Sequence, residues 1–485
     1  MLRLHDGQAT LWEEMLPEVV RLLSDELSAV DTLLDDRRFL DPFVRRFNCP
    51  IGRPTIPMDT YLRLMYLKHR HGLGYETLVK EVADSLSWRR FCRIHLDRSV
   101  PHPTTLMKLT RRFGPAIVED LNAAVLEEAV EKKVLRTRRL RVDTTAMEAD
   151  VRYPTDSGLC AHAVSRMTRA VKAVKRAGLA VGTRFLSRSR LQKAGEVVRN
   201  ISHCFGRPHA RAAVERFTGV LHDLADACAA EAERVLATAT RTLEAGVKKG
   251  KTEVARLADE ISRARRVIGQ TARRLAGETT IPDRVVSLAD LDARPIRRGK
   301  PQRPTEFGYK VSIADSAEGF VVSHQVYTGN PRDTSTLQAA VAGAQATGMQ
   351  VRTVYADRAY GNEIADAVLD ELHIRDRVIP RQGRASAAEQ TPRWRRRYRH
   401  RAGAEGRISH LKRRYGLTRS RLKGHEGAKI WAGYGFWPTT WTGGWRWAEE
   451  PAVDGQVGSP IPSPRCRSAP RPPPRPYVTG FFRSK

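Results

Sequence analysis

One short β-patterned run, Leu140 to Ala146 in "LRTRRLRVDTTAMEA", stands alone between two long helical stretches, and β pattern returns only at residue 305. The segment between, residues 161–285, is helical and basic, and is read as an insertion into a sheet domain. Two apolar stripes, one from Val214 to Leu243 and one from Val254 to Leu275, flank "GVKKGK" and predict an antiparallel helical hairpin. From 305 on, "TEFGYKVSIADSAEGFVVSHQVYTGN" reads as a β-hairpin around "DSAEG". A helix ("PRDTSTLQAAVAGAQATG"), a buried-type strand ("MQVRTVYAD"), a helix ("NEIADAVLDELH"), a strand ("IRDRVIP") and a helix over 391–423 follow. The order is that of a mixed α/β layer, with 135–160 giving the first strand and 286–436 the remainder.

Residues 1–120 read as a separate all-α domain. "MDTYLRLMYLKHRHG" places Met58, Tyr61, Leu62 and Met65 on one helical face. A helix starts at Pro103, with Thr104 or Thr105 as N-cap, and carries Lys108, Arg111 and Arg112. Short helices broken by glycine turns and ending in a basic helix fit a helix-turn-helix-like DNA-binding module. Charge points the same way: 84 Lys and Arg stand against 54 acids, a net +30. Neutralising nucleic-acid phosphates releases counterions, which favours DNA over an anionic membrane surface as the partner. No run of about 18 apolar residues is present to cross a bilayer. The N-terminal "MLRLHDGQATLWEEM" turns acidic where a signal peptide needs an apolar core, and the six cysteines are scattered without a CxxC pair. These features argue against a disulfide scaffold and structural zinc, and for a cytoplasmic chain with reduced thiols.

Two carboxylates end predicted strands, Asp143 in "RVDTT" and Asp357 in "VYADRAYG". Such positions suit a site at a sheet edge, and equally an N-cap or Asx-turn. A third acid, Glu405, is alone among thirteen Arg and Lys between Thr391 and Lys423. At about 100° per residue, Tyr398, Arg401, Glu405 and Lys412 fall within about 60° of one another on a helix. Ile408, Leu411 and Tyr415 form an apolar stripe beside them. Gly403 and Gly406 each lower helix propensity by about 1 kcal/mol and leave room for a backbone or ligand to approach.

The Y-x2-R-x3-E-x6-K spacing resembles the signature of DDE transposases of bacterial insertion sequences. "VDTT" resembles the family's first-Asp motif and "YADRAYG" its second, and residues 52–92 resemble an InsH-type N-terminal transposase domain. "PTDSG", "EFGYKV" and "HLKRRYGLTRSRLKG" are similar to further family stretches, whereas 161–285 matches no motif. The resemblance implies a ribonuclease-H-like catalytic fold with Asp143, Asp357 and Glu405 as the catalytic, metal-binding triad. It further implies two Mg²⁺ or Mn²⁺ ions, double-stranded DNA (terminal inverted repeats and target) as partner, and a homodimer on DNA at the nucleoid. Hard oxygen ligands suit Mg²⁺. Arg401 and Lys412 would grip phosphates, Arg as a fork and Lys as a point charge. Tyr398 would stack on a base or orient a phosphate, and Trp394 would stack on the duplex end or simply pack. A metal-dependent nuclease of the same fold and a non-catalytic DNA-binding relic stand as alternatives.

After "KGHEGAKIWAGYGF" helical periodicity stops at Trp437, and residues 437–485 are rich in Pro, Arg, Ser and Trp. Codons for Trp437–Thr442, shifted by one base, can encode Leu-Ala-His-Asn-Leu-Asp-Arg, a helix former. The segment is therefore expected to be a disordered, frameshifted tail.

Overall fold

The computed structural model describes residues 1–5, 17, 22–47, 51–136, 138–204, 208–247, 249–297 and 305–445. Cys49, Cys466 and the tail from residue 446 lie outside them.

The N-terminal region contains α1 (Asp25–Leu34), α2 (Asp41–Phe47), α3 (Met58–Arg70), α4 (Tyr75–Asp84), α5 (Leu86–Phe91) and α6 (Pro103–Glu131). α3 is buried on every face from Met58 to His69, not on one stripe alone. Its polar residues are satisfied inside: Arg63 binds Asp31 and Asp35, and the Lys68 ammonium lies over the Trp431 and Tyr75 rings. α6 starts at Pro103 as expected, but His102 is the cap, its Nδ1 accepting from Thr104 N–H at 3.3 Å. Pro103 has no N–H to satisfy and its fixed φ suits a first helical position. Gly114 (φ 70°) and Pro115 kink α6. Beyond the kink its second half passes residue 120 and packs Leu126 and Ala129 against the sheet.

The sheet comprises β1 (Arg139–Ala149), β2 (Arg294–Arg297), β3 (Thr305–Ser316), β4 (Val321–Thr328), β5 (Thr353–Tyr355), β6 (Asp376–Val378) and β7 (Arg419–Ser420). Reading across, β4–β3–β1–β5–β6 lie side by side, with β2 continuing the β4 edge and β7 pairing with β1 beyond β5. β3 is antiparallel to its neighbours, and β1, β5 and β6 are mutually parallel. Period-two alternation sends Leu140, Val142 and Thr144 to one face of β1, and Arg141, Asp143 and Met147 to the other. On the first face lie α6, α11 (Asp333–Ala346) and α12 (Glu363–Glu371); on the second lie α14 (Ala402–Arg414) and α15 (His425–Trp445). This is a ribonuclease-H-like layering.

Between β1 and β2 come α7 (Asp156–Arg176), α8 (Ser187–Cys204), α9 (Ala210–Glu244) and α10 (Lys251–Leu275). The two stripes predicted as a hairpin are α9 and α10; α7 and α8 complete a four-helix bundle around a core of its own. Arg166–Glu260 and Arg190–Glu231 ion pairs cross-link it at 2.6 Å.

Two sequence expectations need correction. The 391–423 stretch is not one helix: α13 (Pro392–Tyr398), a 3₁₀ turn at Arg399–Arg401 and α14 follow one another, and α14 gives way at Gly416 (φ 73°) to β7. Order also does not stop at Trp437, since α15 continues to Trp445. Ile430, Tyr434 and Trp437, at i, i+4 and i+7, pack into the N-terminal helical core; Ala428, Ala432 and Phe436 face the sheet side. The helix is thus buried between the two, which hides the amphipathic pattern that would have signalled it. Trp437→Ala should cost about 3–5 kcal/mol in denaturant unfolding. An unchanged midpoint would place Trp437 outside the core.

Candidate active site

Asp143 sits mid-strand on β1, paired across with Ile313 of β3. Asp357 lies two residues past β5, the parallel neighbour of β1, and caps a 3₁₀ turn by accepting from Ala359 N–H at 2.9 Å. The Asx-cap reading of Asp357 therefore holds. Glu405 lies in the first turn of α14, 64% exposed.

One guanidinium joins them. Arg401 Nη2 is 3.3 Å from Asp143 Oδ2 and 3.9 Å from Asp357 Oδ2, and Nη1 donates to Glu405 Oε1 at 2.6 Å. Chain segments more than 200 residues apart thus converge on a single cation. Among the described residues no three His, Cys, Asp or Glu side chains cluster closely enough to hold a metal ion by themselves. The carboxylates are spread around Arg401. Burial pushes the Asp143 carboxyl up to about 6; Arg401 opposes this and Asp357 adds to it. Burial likewise raises Asp357, again against Arg401.

Beside the site, Trp394 and Tyr398 stack on each other, with ring centroids 4.9 Å apart and planes 18° apart. Lys412 lies two turns along α14 from Glu405, half-buried. Lys108, Arg111 and Arg112 are exposed on α6, and Arg112 lies over the Phe47 ring.

Two supports beside the site rest on contacts that spacing along the chain does not show. On the other face of β1, Asp333 accepts from Thr144 Oγ1 and from Lys310 Nζ, each at 2.7 Å. Thr144 N–H in turn donates to Asp143 Oδ1 at 2.8 Å. Lys310, a cation within an apolar strand in "EFGYKV", was the available signal. Asp156 is bound to Arg284. The second support docks α14: Arg141 Nε donates to Asp315 Oδ1 at 3.1 Å, its Nη2 also reaches Asp315, and Arg407 from α14 approaches the same carboxylate at 3.8 Å. Gly403 makes room for this, because a Cβ there would collide with the Arg141 guanidinium; around Gly406 there is open space.

A model described as "Transposase domain (DUF772)" matches residues 15–112, and one described as "Transposase DDE domain" matches 286–436. The chain belongs to the DDE transposases. An uncharacterised protein, ORF8 in the nfe locus of Rhizobium meliloti, is 31% identical to this transposase over 131 residues. That match takes in 26% of the transposase and 63% of the relative, so the transposase spans just under two thirds of the relative's length. No solved structure matches the transposase. Among the described residues no helix is long and apolar enough to cross a membrane.

The glycines give a paired test of the docking. Gly403→Ala should destabilise the transposase, whereas Gly406→Ala should stabilise it by about 0.5–1 kcal/mol through helix propensity, read from urea midpoints. A second test uses Asp143. Its folded pKa lies above the ordinary Asp value, so its ionisation opposes folding: stability is greatest at low pH and is lost as pH rises toward 6. In metal-free protein, Asp143→Asn should raise stability at pH 7 by up to about 3 kcal/mol and change little at pH 3.5. Equal effects at both pH values would contradict the burial of this charge.

Proposed function

We propose that this transposase binds the ends of an insertion sequence and cuts and joins DNA there, with Asp143, Asp357 and Glu405 as its catalytic acids. The observation that carries the reading is their convergence on Arg401. Three oxygen-donor side chains directed at one positive charge are a suitable donor set for a hard divalent cation such as Mg²⁺ or Mn²⁺. When bound, such ions supply Lewis-acid stabilisation of the attacking and leaving oxygens.

The residues of the chain do the rest. In cleavage, water attacks the phosphodiester at the element end and a P–O bond breaks, freeing a 3′-OH. In joining, that 3′-OH attacks a target phosphodiester, so one P–O bond forms as another breaks and no external energy source is required. Arg401 cannot serve the acids and a phosphate together. Once their charge is met otherwise, its fork is free for the DNA backbone, and Lys412 offers a second point charge. The stacked Trp394–Tyr398 pair offers an aromatic platform for a base. Exposed Lys108, Arg111 and Arg112 suit recognition of the terminal repeat, and two copies of the chain would hold two ends. Because Ile430, Tyr434 and Trp437 complete the N-terminal core, that recognition belongs to the full chain; a 1–120 fragment would lack part of its core.

Purified protein, a terminal-repeat duplex and Mg²⁺ provide the test. Asp143→Asn, Asp357→Asn and Glu405→Gln should each abolish cleavage and joining while retaining end binding. Cleavage at the wild-type rate in any of the three removes that residue from the site. Metal-dependent cutting without joining would leave a nuclease.

A further inference from the structure

Residues 113–285 lie outside both matched regions, and the bundle they contain has had no role so far. Its charge is uneven. From 156 to 204, spanning α7 and α8, there are ten Lys and Arg against two acids; α9 and α10 together carry eleven against nine. The outward stripe of α7 presents Arg166, Arg169, Lys172 and Arg176 at three- and four-residue spacing. Arg166 is committed to Glu260. Arg169, Lys172 and Arg176 are exposed and pair with no acid among the described residues.

The strip continues past the start of α7. Burial, then Arg166, Arg169 and Arg152, hold the half-buried His162 imidazole below its ordinary value, which places Arg152 in the same positive field. Next to Arg152, Tyr153 is 79% exposed, its ring edge set against Phe307 on β3 at 5.5 Å. An aromatic held out in solvent beside arginines is unusual for a surface with only a packing role. From residue 162 to 176 the helix runs about 21 Å, a straight row of cations on the scale of several phosphates of one DNA strand.

We propose that Arg152, Tyr153, Arg169, Lys172 and Arg176 form a duplex-DNA backbone site on the inserted bundle, separate from both the carboxylate site and α6. The contacts are cations to phosphates and are therefore independent of base sequence. β1 carries the chain about 20 Å from Asp143 to its end, so a duplex engaged at the carboxylates has the reach to lie along α7. This placement rests on the DNA-processing function proposed above; the binding itself does not.

The test is the salt dependence of full-length protein binding to a random-sequence duplex of about 40 base pairs, without divalent metal. Arg169→Gln/Lys172→Gln/Arg176→Gln should lower the slope of log K against log salt by about three. Arg234→Gln/Arg241→Gln/Arg256→Gln removes the same charge from exposed positions on α9 and α10, and should leave the slope nearly unchanged. An unchanged slope in the first variant, or an equal fall in both, overturns the site. Should the triple variant melt early, Lys172→Gln alone should lower the slope by about one, and no change there also overturns it. Since no cleavage is measured, a protein unable to cut DNA could still pass, and an active transposase could still fail.

Discussion

The Arg401 guanidinium between Asp143, Asp357 and Glu405 is the contact on which the site depends. Three carboxylates gathered around one partly buried point repel one another, and burial already drives Asp143 up to about 6. A positive charge among them lets them remain gathered and ionised. Arg401 stands just before α14, one turn from Glu405, so the residue that collects the acids is fixed relative to the third of them. The position of that helix is set underneath by Asp315, which takes Arg141 from β1 and faces Arg407 from α14. Removing one member of so buried a group leaves an uncompensated charge, a loss of about 3–5 kcal/mol. Geometry at the site and stability of the layer thus share one set of charges.

Much of this was legible in the sequence because the signals were local. Strand-end placement singled out Asp357, which lies just past β5; Asp143 was picked out the same way but sits mid-strand, and helical spacing put Arg401 and Glu405 on neighbouring turns. What escaped was non-local. Asp333 sits at a helix start that any acid could occupy, and its worth comes from Lys310 and Thr144 reaching it across the sheet. Gly403 looked like space for a backbone or a ligand, but the space is filled by the Arg141 side chain from a strand some 260 residues earlier. Pattern reading failed most clearly at α15. From Gly427 to Trp437 it is buried on nearly every side, so it shows no clean apolar stripe, and Trp437 at the heart of the core was read as the start of disorder.

That burial also changes how the parts relate. The C-terminal helix fills the core of the N-terminal helices on one side and faces the sheet on the other, and α6 spans the same two regions through its kink. The N-terminal helices and the carboxylate site are therefore mechanically joined, whereas the inserted bundle keeps a separate core and grows from the end of β1. Such an element can change its surface charge with little effect on the catalytic layer, which suits a surface for duplex DNA.

The central claim is that the three carboxylates form one cation site whose charge Arg401 meets in the metal-free protein. Calorimetric titration of Mn²⁺ into DNA-free protein tests it most directly. The account predicts that Arg401→Gln binds Mn²⁺ more tightly than wild type, because the ion no longer competes with the guanidinium, and that adding Glu405→Gln to that variant weakens binding again. Equal affinity in wild type and Arg401→Gln, or no loss on removing Glu405, would contradict it.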